Sequence, residues 1–194
     1  MDNRVEKGKA TREALVGVAR ELFGEHGYDG TSIGAVLSAA GVARGALYHH
    51  FATKEELFDA VLDREVARVA AVAAEAALAA SDPLERLRAG CATWLRVALD
   101  PAVQRIVLID PPRVVGWKRW RELDDVHTLG GLRASIAALA AQGRVAEAEV
   151  DTLAHMLLAA VAEAALLIAQ ADDPEAALTS ALATVDTLLT RVLG

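Results

Sequence analysis

A chain of 194 residues allows one all-helical domain of ordinary size, or a small domain joined to a larger one. Its apolar content of 54 % comes mostly from Ala, Leu and Val, with only 4 % aromatic residues, so the composition leans all-α and leaves apolar surface for a partner subunit. A net charge of −7 argues against non-specific nucleic-acid binding by the whole chain, and Cys91, being alone, excludes an intrachain disulfide and a cysteine-rich zinc site.

The charge is unevenly spread. Residues 1–54 hold seven Lys or Arg against six Asp or Glu, whereas the remainder holds thirteen against twenty-one. Only the N-terminal quarter can approach phosphate without strong repulsion. Residues 1–13 are polar and lack the apolar stretch of a signal peptide. The longest apolar run, 153–169, is broken by His155 and Glu163 and falls short of the ~18 residues a membrane span needs. The expectation is a cytoplasmic protein with no membrane partner.

Taken in order, residues 9–26 place Ala14, Leu15, Val18, Ala19, Leu22 and Phe23 on one helical stripe, and His26-Gly27 stops it. Thr31-Ser32 offers an N-cap to a short helix that turns Ile33, Val36 and Leu37 inward and ends at Ala40-Gly41. A third short helix runs from Val42 to about Phe51. Thr53 caps a fourth, from Lys54 to about Ala80, with Glu55 and Glu56 in its first turn, where the helix dipole favours negative charge. Asp82-Pro83, Asp100-Pro101 and Asp110-Pro111 each read as a cap followed by a new helix. Residues 112–127 are amphipathic, and Gly130-Gly131 breaks or kinks the path before a helix ending at Gln142-Gly143. Two strongly apolar helices, 151–171 and 174–192, finish the chain. No strand pattern, repeat or low-complexity linker is present, so the fold class is all-α.

The informative block is Thr31 to Phe51. Two short helices meet at Gly41, which suits a turn needing positive φ. The second turns Leu47 inward and shows Arg44, Gly45, Tyr48 and His49 outward. That is a helix-turn-helix, whose second helix enters the major groove of double-stranded DNA. Small residues at Ala43 and Gly45 permit close approach, and Arg44 can donate to base edges or phosphate. Lys54, beside the free N–H groups of the next helix, reads as a phosphate clamp. The DNA-contact set is therefore Thr31, Ser32, Ala43, Arg44, Gly45, Tyr48, His49 and Lys54.

Residues 11–58 resemble the N-terminal domain of the TetR family of repressors. The resemblance is carried by Leu22-Phe23, Gly27, Thr31, Ala40-Gly41-Val42, Leu47-Tyr48-His49-His50-Phe51, Lys54-Glu55 and Leu57. Ser38, in the packed second helix, stands where the family usually has Ala. Ala43 stands where it usually has Ser or Thr, losing a cap worth about 1 kcal/mol. The resemblance implies a three-helix DNA-binding domain over 1–53, then a larger helical ligand-binding and dimerisation domain over 54–194. It also implies a pseudo-palindromic operator and repression relieved by a small-molecule effector.

The final two helices hold more apolar residues than one monomer core needs. Leu153, Leu157, Ala160, Val161, Ala164, Leu167 and Ile168 on one, and Leu178, Leu182, Val185, Leu188, Leu189 and Val192 on the other, suit a four-helix homodimer interface. A largely apolar ligand pocket is expected among the middle helices, lined by Trp94, Trp117, His127, His155 and Met156, with Trp120 half exposed in a charged run. No cofactor is called for. Two rival readings are an effector-free DNA-binding protein and a helical metal-dependent enzyme. Asp110, His127, His155 and Glu163 lack the spacing of a metal or acid–base site, so no enzyme is expected.

Overall fold

The computed structural model describes residues 2–193, and all regular structure among them is helical. Two compact units form, one from the residues up to Glu65 with Pro101–Trp117, the other from Val66–Asp100 with the residues from Lys118 onward.

In the first unit, α1 (Asp2–Gly30) extends beyond the expected stripe at its N-terminus and is broken at Gly27, whose φ of 72° only glycine adopts readily. Leu15, Val16, Ala19 and Phe23 are buried, while Ala14 is exposed, so the inward face is rotated slightly from the sequence reading. Helices α2 (Ile33–Ala40), α3 (Arg44–His50) and the start of α4 (Lys54–Leu78) follow. Thr53 caps α4 as expected: its Oγ1 accepts from Glu56 N at 3.1 Å, and Glu56 accepts in return from Ala52 N at 2.7 Å. Phe23, Tyr28 and Phe58 form an aromatic core with centroid separations of 5.1–5.9 Å.

Later chain returns to this unit. Helix α6 (Pro101–Val103) and a π-helical stretch (Gln104–Ile109) pack on α1, and α7 (Pro111–Val114) packs on the π-helical stretch. The approach is close: a Cβ at Gly24 would lie 2.6 Å from Ala102 Cβ. Asp110 does not cap the helix at Pro111. Its backbone is already helical, and its carboxylate instead accepts from Tyr28 N at 2.9 Å, where α1 breaks. The buried Glu65 carboxylate meets Arg20 through two contacts of 3.1 and 3.2 Å.

In the second unit, Asp82 caps α5 (Pro83–Val97) by accepting from Leu84 N and Glu85 N. Leu84, Leu87, Cys91 and Leu95 form its buried stripe. Helix α8 (Gly116–Asp124) runs into a π-helical turn (Asp125–Leu129) and then α9 (Gly130–Ala141). Gly130 keeps right-handed helical angles, so the expected break at Gly130-Gly131 is absent; the irregularity precedes it as the wider π turn. Helices α10 (Val150–Gln170) and α11 (Pro174–Leu193) pack on each other and on α5, with α9 also against α10. Arg88 ties α5 to α11, donating to Asp186 and Thr190 at 2.7 Å.

By length and mean hydropathy alone, residues 147–170 and 174–193 could cross a membrane. In the fold their buried stripes, Leu157, Val161, Ala165 and Ile168 on α10 and Leu178, Val185 and Leu189 on α11, serve the unit's own core. A second apolar stripe remains outside: Met156 and Leu167 on α10, Leu188 and Val192 on α11. The two sets of residues expected at a dimer interface are thus divided between the monomer core and this outer face.

Candidate nucleic-acid interface and interior cavity

The turn between α2 and α3 is built as its residues dictate. Ser32 Oγ accepts from Ala35 N at 3.1 Å and starts α2. Gly41, at φ 64°, closes it, its N–H meeting the Leu37 and Ser38 carbonyls. Ala43 occupies the N-cap of α3 and supplies no side-chain bond. Leu47 is wholly buried and anchors α3, leaving Ala43, Arg44, Gly45, Tyr48 and His49 exposed together on its outer side. Ser38 is exposed as well, so its departure from Ala costs no packing.

Two of the expected DNA contacts sit differently. The Thr31 side chain is buried, with its hydroxyl donating to Leu22 O at 3.0 Å and Gly27 O at 2.9 Å. The side chain of Lys54 also turns inward: Nζ donates to the carbonyls of Tyr28 at 2.8 Å and Thr31 at 2.9 Å. The cause lies in the break at Gly27. A helix end leaves carbonyls without partners, and buried ones must find donors. Thr31, Lys54 and Arg105, whose Nη1 reaches the Gly24 and Glu25 carbonyls, provide them.

Tyr28, which the sequence reading passed over, is the centre of this arrangement. Its N–H is held by Asp110, its carbonyl by Lys54, and its ring by Phe23 and Phe58. Burial, then a hydrogen bond to the Glu55 carboxylate, raise its phenol well above the usual tyrosine range, and that bond lowers Glu55. The available signal was an aromatic placed directly after a helix-stopping glycine.

The second unit contains a cavity of about 300 Å³. Ala70, Ala73, Ala74 and Ala77 of α4 form one wall, and Leu87, Gly90, Cys91 and Trp94 of α5 another. Leu158, Val161 and Ala162 of α10 contribute further apolar surface. The polar lining is Asp124, His127 and Thr128 at the π turn, Ser135 on α9, and Arg86. The alanines repeat with helical spacing, so one face of α4 carries no bulk and space is left beside it. Burial pushes the Asp124 carboxyl up to about 6, opposed by Arg121, whose Nη1 lies 3.4 Å away. Burial likewise pushes the Cys91 thiol up to about 12.

Of the five expected pocket residues, Trp94 and His127 line the cavity. Trp117 does not: it is exposed in the first unit, whereas Trp120, expected to be half exposed, is buried. His155 lies against Arg133 and Asp151, and Met156 is exposed on the outer stripe of α10. His155 is on the cavity side of α10 but a turn short of Leu158, against α9, whereas Met156 is turned to the opposite face. Among the described residues, no group of three or more His, Cys, Asp or Glu side chains is arranged to hold a metal ion.

Two short helices joined through a left-handed glycine, the first capped by serine and the second anchored by one buried leucine, define a helix-turn-helix protein. The family described as "Bacterial regulatory proteins, tetR family" matches residues 15–61, and "Tetracyclin repressor-like, C-terminal domain" matches 84–192. A TetR-family transcriptional regulator from Pectobacterium atrosepticum is 35 % identical with a TM-score of 0.84, covering 97 % of this chain and 96 % of that one. A TetR transcriptional regulator from Chloroflexus aurantiacus is 26 % identical with a TM-score of 0.77, covering 96 % and 97 %. The chain belongs to the TetR family. Curated relatives include the HTH-type transcriptional repressor AcnR of Corynebacterium glutamicum, 40 % identical over 70 residues, and that of Corynebacterium diphtheriae, 34 % identical over 120 residues. Those matches take in 36 % and 59 % of this chain and span 37 % and 60 % of the two relatives.

Proposed function

We propose that this protein is a cytoplasmic transcriptional repressor that binds a pseudo-palindromic operator as a homodimer and leaves it when a small, largely apolar effector enters the cavity. The observation that carries the reading is α3: its buried Leu47 fixes the helix while Arg44, Gly45, Tyr48 and His49 face outward together. Arg44 would reach base edges or phosphate, Tyr48 and His49 would donate to phosphates or pack on thymine methyls, and Ala43 and Gly45 would allow close approach. Ser32 contributes at the start of α2, and Lys54 acts by holding the reading head in shape.

By role, residues 1–53 read DNA and residues 54–194 sense and dimerise. The outer stripe of Met156, Leu167, Leu188 and Val192 supplies the dimer surface, through α10 and α11. Two recognition helices must stand about 34–36 Å apart to enter successive major grooves. Helix α4 carries both the start of the sensor and the alanine wall of the cavity. An occupant that favours a different course of α4 would shift that spacing. By linkage it binds the DNA-bound form more weakly by the factor it lowers operator affinity, roughly 5- to 150-fold.

Selection of binding sites from random duplexes tests the reading. Recovered sites are expected to contain inverted half-sites with centres one helical turn or a multiple apart, and Arg44→Ala should weaken binding. Failure to retain any duplex overturns it. Ala74→Phe, which fills the cavity, should keep operator affinity and abolish effector release.

A further inference from the structure

The cavity has an uneven distribution of chemistry. Its walls are methyl groups and the Trp94 ring, and its carboxylate is at the π turn. The Asp124 side chain is only 13 % exposed, and the Arg121 guanidinium stands 3.4 Å away. Charge-assisted hydrogen bonds to a carboxylate are normally about 2.7–2.9 Å. Asp124 therefore bears the cost of burial with weak compensation. Asp124 borders the open space as part of the cavity lining.

We propose that the occupant is a small, mostly apolar molecule presenting one hydrogen-bond donor, a hydroxyl or a protonated amine, to the Asp124 carboxylate. The proposal rests on reading this cavity as the effector site. An ionised carboxylate is acceptor-only, so a ligand group that adds to the long Arg121 contact must be a donor. Its raised proton affinity is the same deficit seen from another side. An occupant ending in its own carboxylate would bring like charge against Asp124 inside a space of about 300 Å³. The other charged group on the lining, Arg86, already donates through Nε to Ala80 O at 2.9 Å, at the end of α4.

Three probes of one shape decide the matter: naphthylmethanol, naphthylmethylamine and naphthoate, titrated calorimetrically into the full chain. The alcohol, the amine or both should bind at least about tenfold more tightly than naphthoate. A tighter alcohol identifies a neutral donor and a tighter amine a cationic one. Asp124→Asn should remove that preference, and Ala74→Phe should block every probe. If Asp124→Asn does not fold, the ranking in the parent still decides. Equal or tighter binding of naphthoate overturns the proposal, most directly if Arg86→Gln abolishes it; so does the absence of binding by all three at millimolar concentration. Operator release is scored separately. A donor probe that binds without affecting the DNA complex contradicts the effector reading and leaves the ligand chemistry intact.

Discussion

Lys54 Nζ stands 3.9 Å from the centroid of the Tyr28 ring while donating to the carbonyl of the same residue at 2.8 Å. One ammonium thus covers an aromatic face and closes a helix end. The charge that reads in sequence as a DNA contact serves the architecture of the head.

Lys54→Ala is therefore expected to lower stability by about 2 kcal/mol, because it leaves the part-buried carbonyls of Tyr28 and Thr31 without their donor. Arg44→Ala, on an exposed face, should stay within about 0.5 kcal/mol of the parent while weakening operator binding. Denaturant midpoints and binding isotherms on both variants separate the roles. A Lys54→Ala protein of parental stability, with a salt slope reduced by about one, would restore the phosphate clamp.

Arg20→Met should destabilise the protein by about 3 kcal/mol, since it strips a hydrogen-bonded cation from the buried Glu65 carboxylate. Adding Glu65→Leu should recover most of the loss, a coupling measurable by a double-mutant cycle. Additive losses would mean that the pair contributes no mutual stabilisation.

The raised Asp124 carboxyl sets a pH window. Its folded value of about 6 exceeds the ordinary 3.8, so between these values the folded state holds more proton than the unfolded one. Stability consequently falls as pH rises through this range, by about 2 kcal/mol. Asp124→Asn should be more stable than the parent by about that amount at pH 7, with the gap closing near pH 4. Urea unfolding at the two pH values tests it; a gap independent of pH would assign the effect to packing.

The outer stripe of α10 and α11 gives a fourth expectation. At low micromolar concentration the parent should sediment at about twice its 20.4 kDa chain mass. Leu167→Glu combined with Leu188→Glu should reduce it to the monomer mass, because each places a charge on the apolar face. A parent that is already monomeric rules out the dimer.

Local grammar made the reading head legible. The serine cap, the left-handed Gly41, the buried Leu47 and the Thr53 cap with Glu56 reaching back to Ala52 N are short-range devices, each confined to a few residues. What sequence could not supply were pairings across long separations. Asp110 holds Tyr28 from 82 residues away, and nothing near Asp110 distinguishes it from an ordinary cap before proline. The cavity was only partly legible because it is defined by what is missing: the alanines of α4 matter through the space beside them. His155 and Met156 are absent from the cavity lining for a simpler reason. An apolar helix with two apolar faces does not declare which one looks inward, and Met156 is on the outer one; His155 is on the inner side but a turn short of the cavity, against Arg133.

The return of Pro101–Trp117 to the first unit limits how the protein can be cut and recombined. A fragment ending after Glu65 would carry every residue of the helix-turn-helix and still lack Ala102 against Gly24, Arg105 on the α1 carbonyls and Asp110 on Tyr28. The reading head is contiguous in sequence but not self-sufficient in structure. A graft onto a foreign sensor would have to bring this second segment with it, and lineages exchanging sensors by recombination would be held to the same rule. The first unit is two stretches of chain, and any cut between Glu65 and Pro101 separates them.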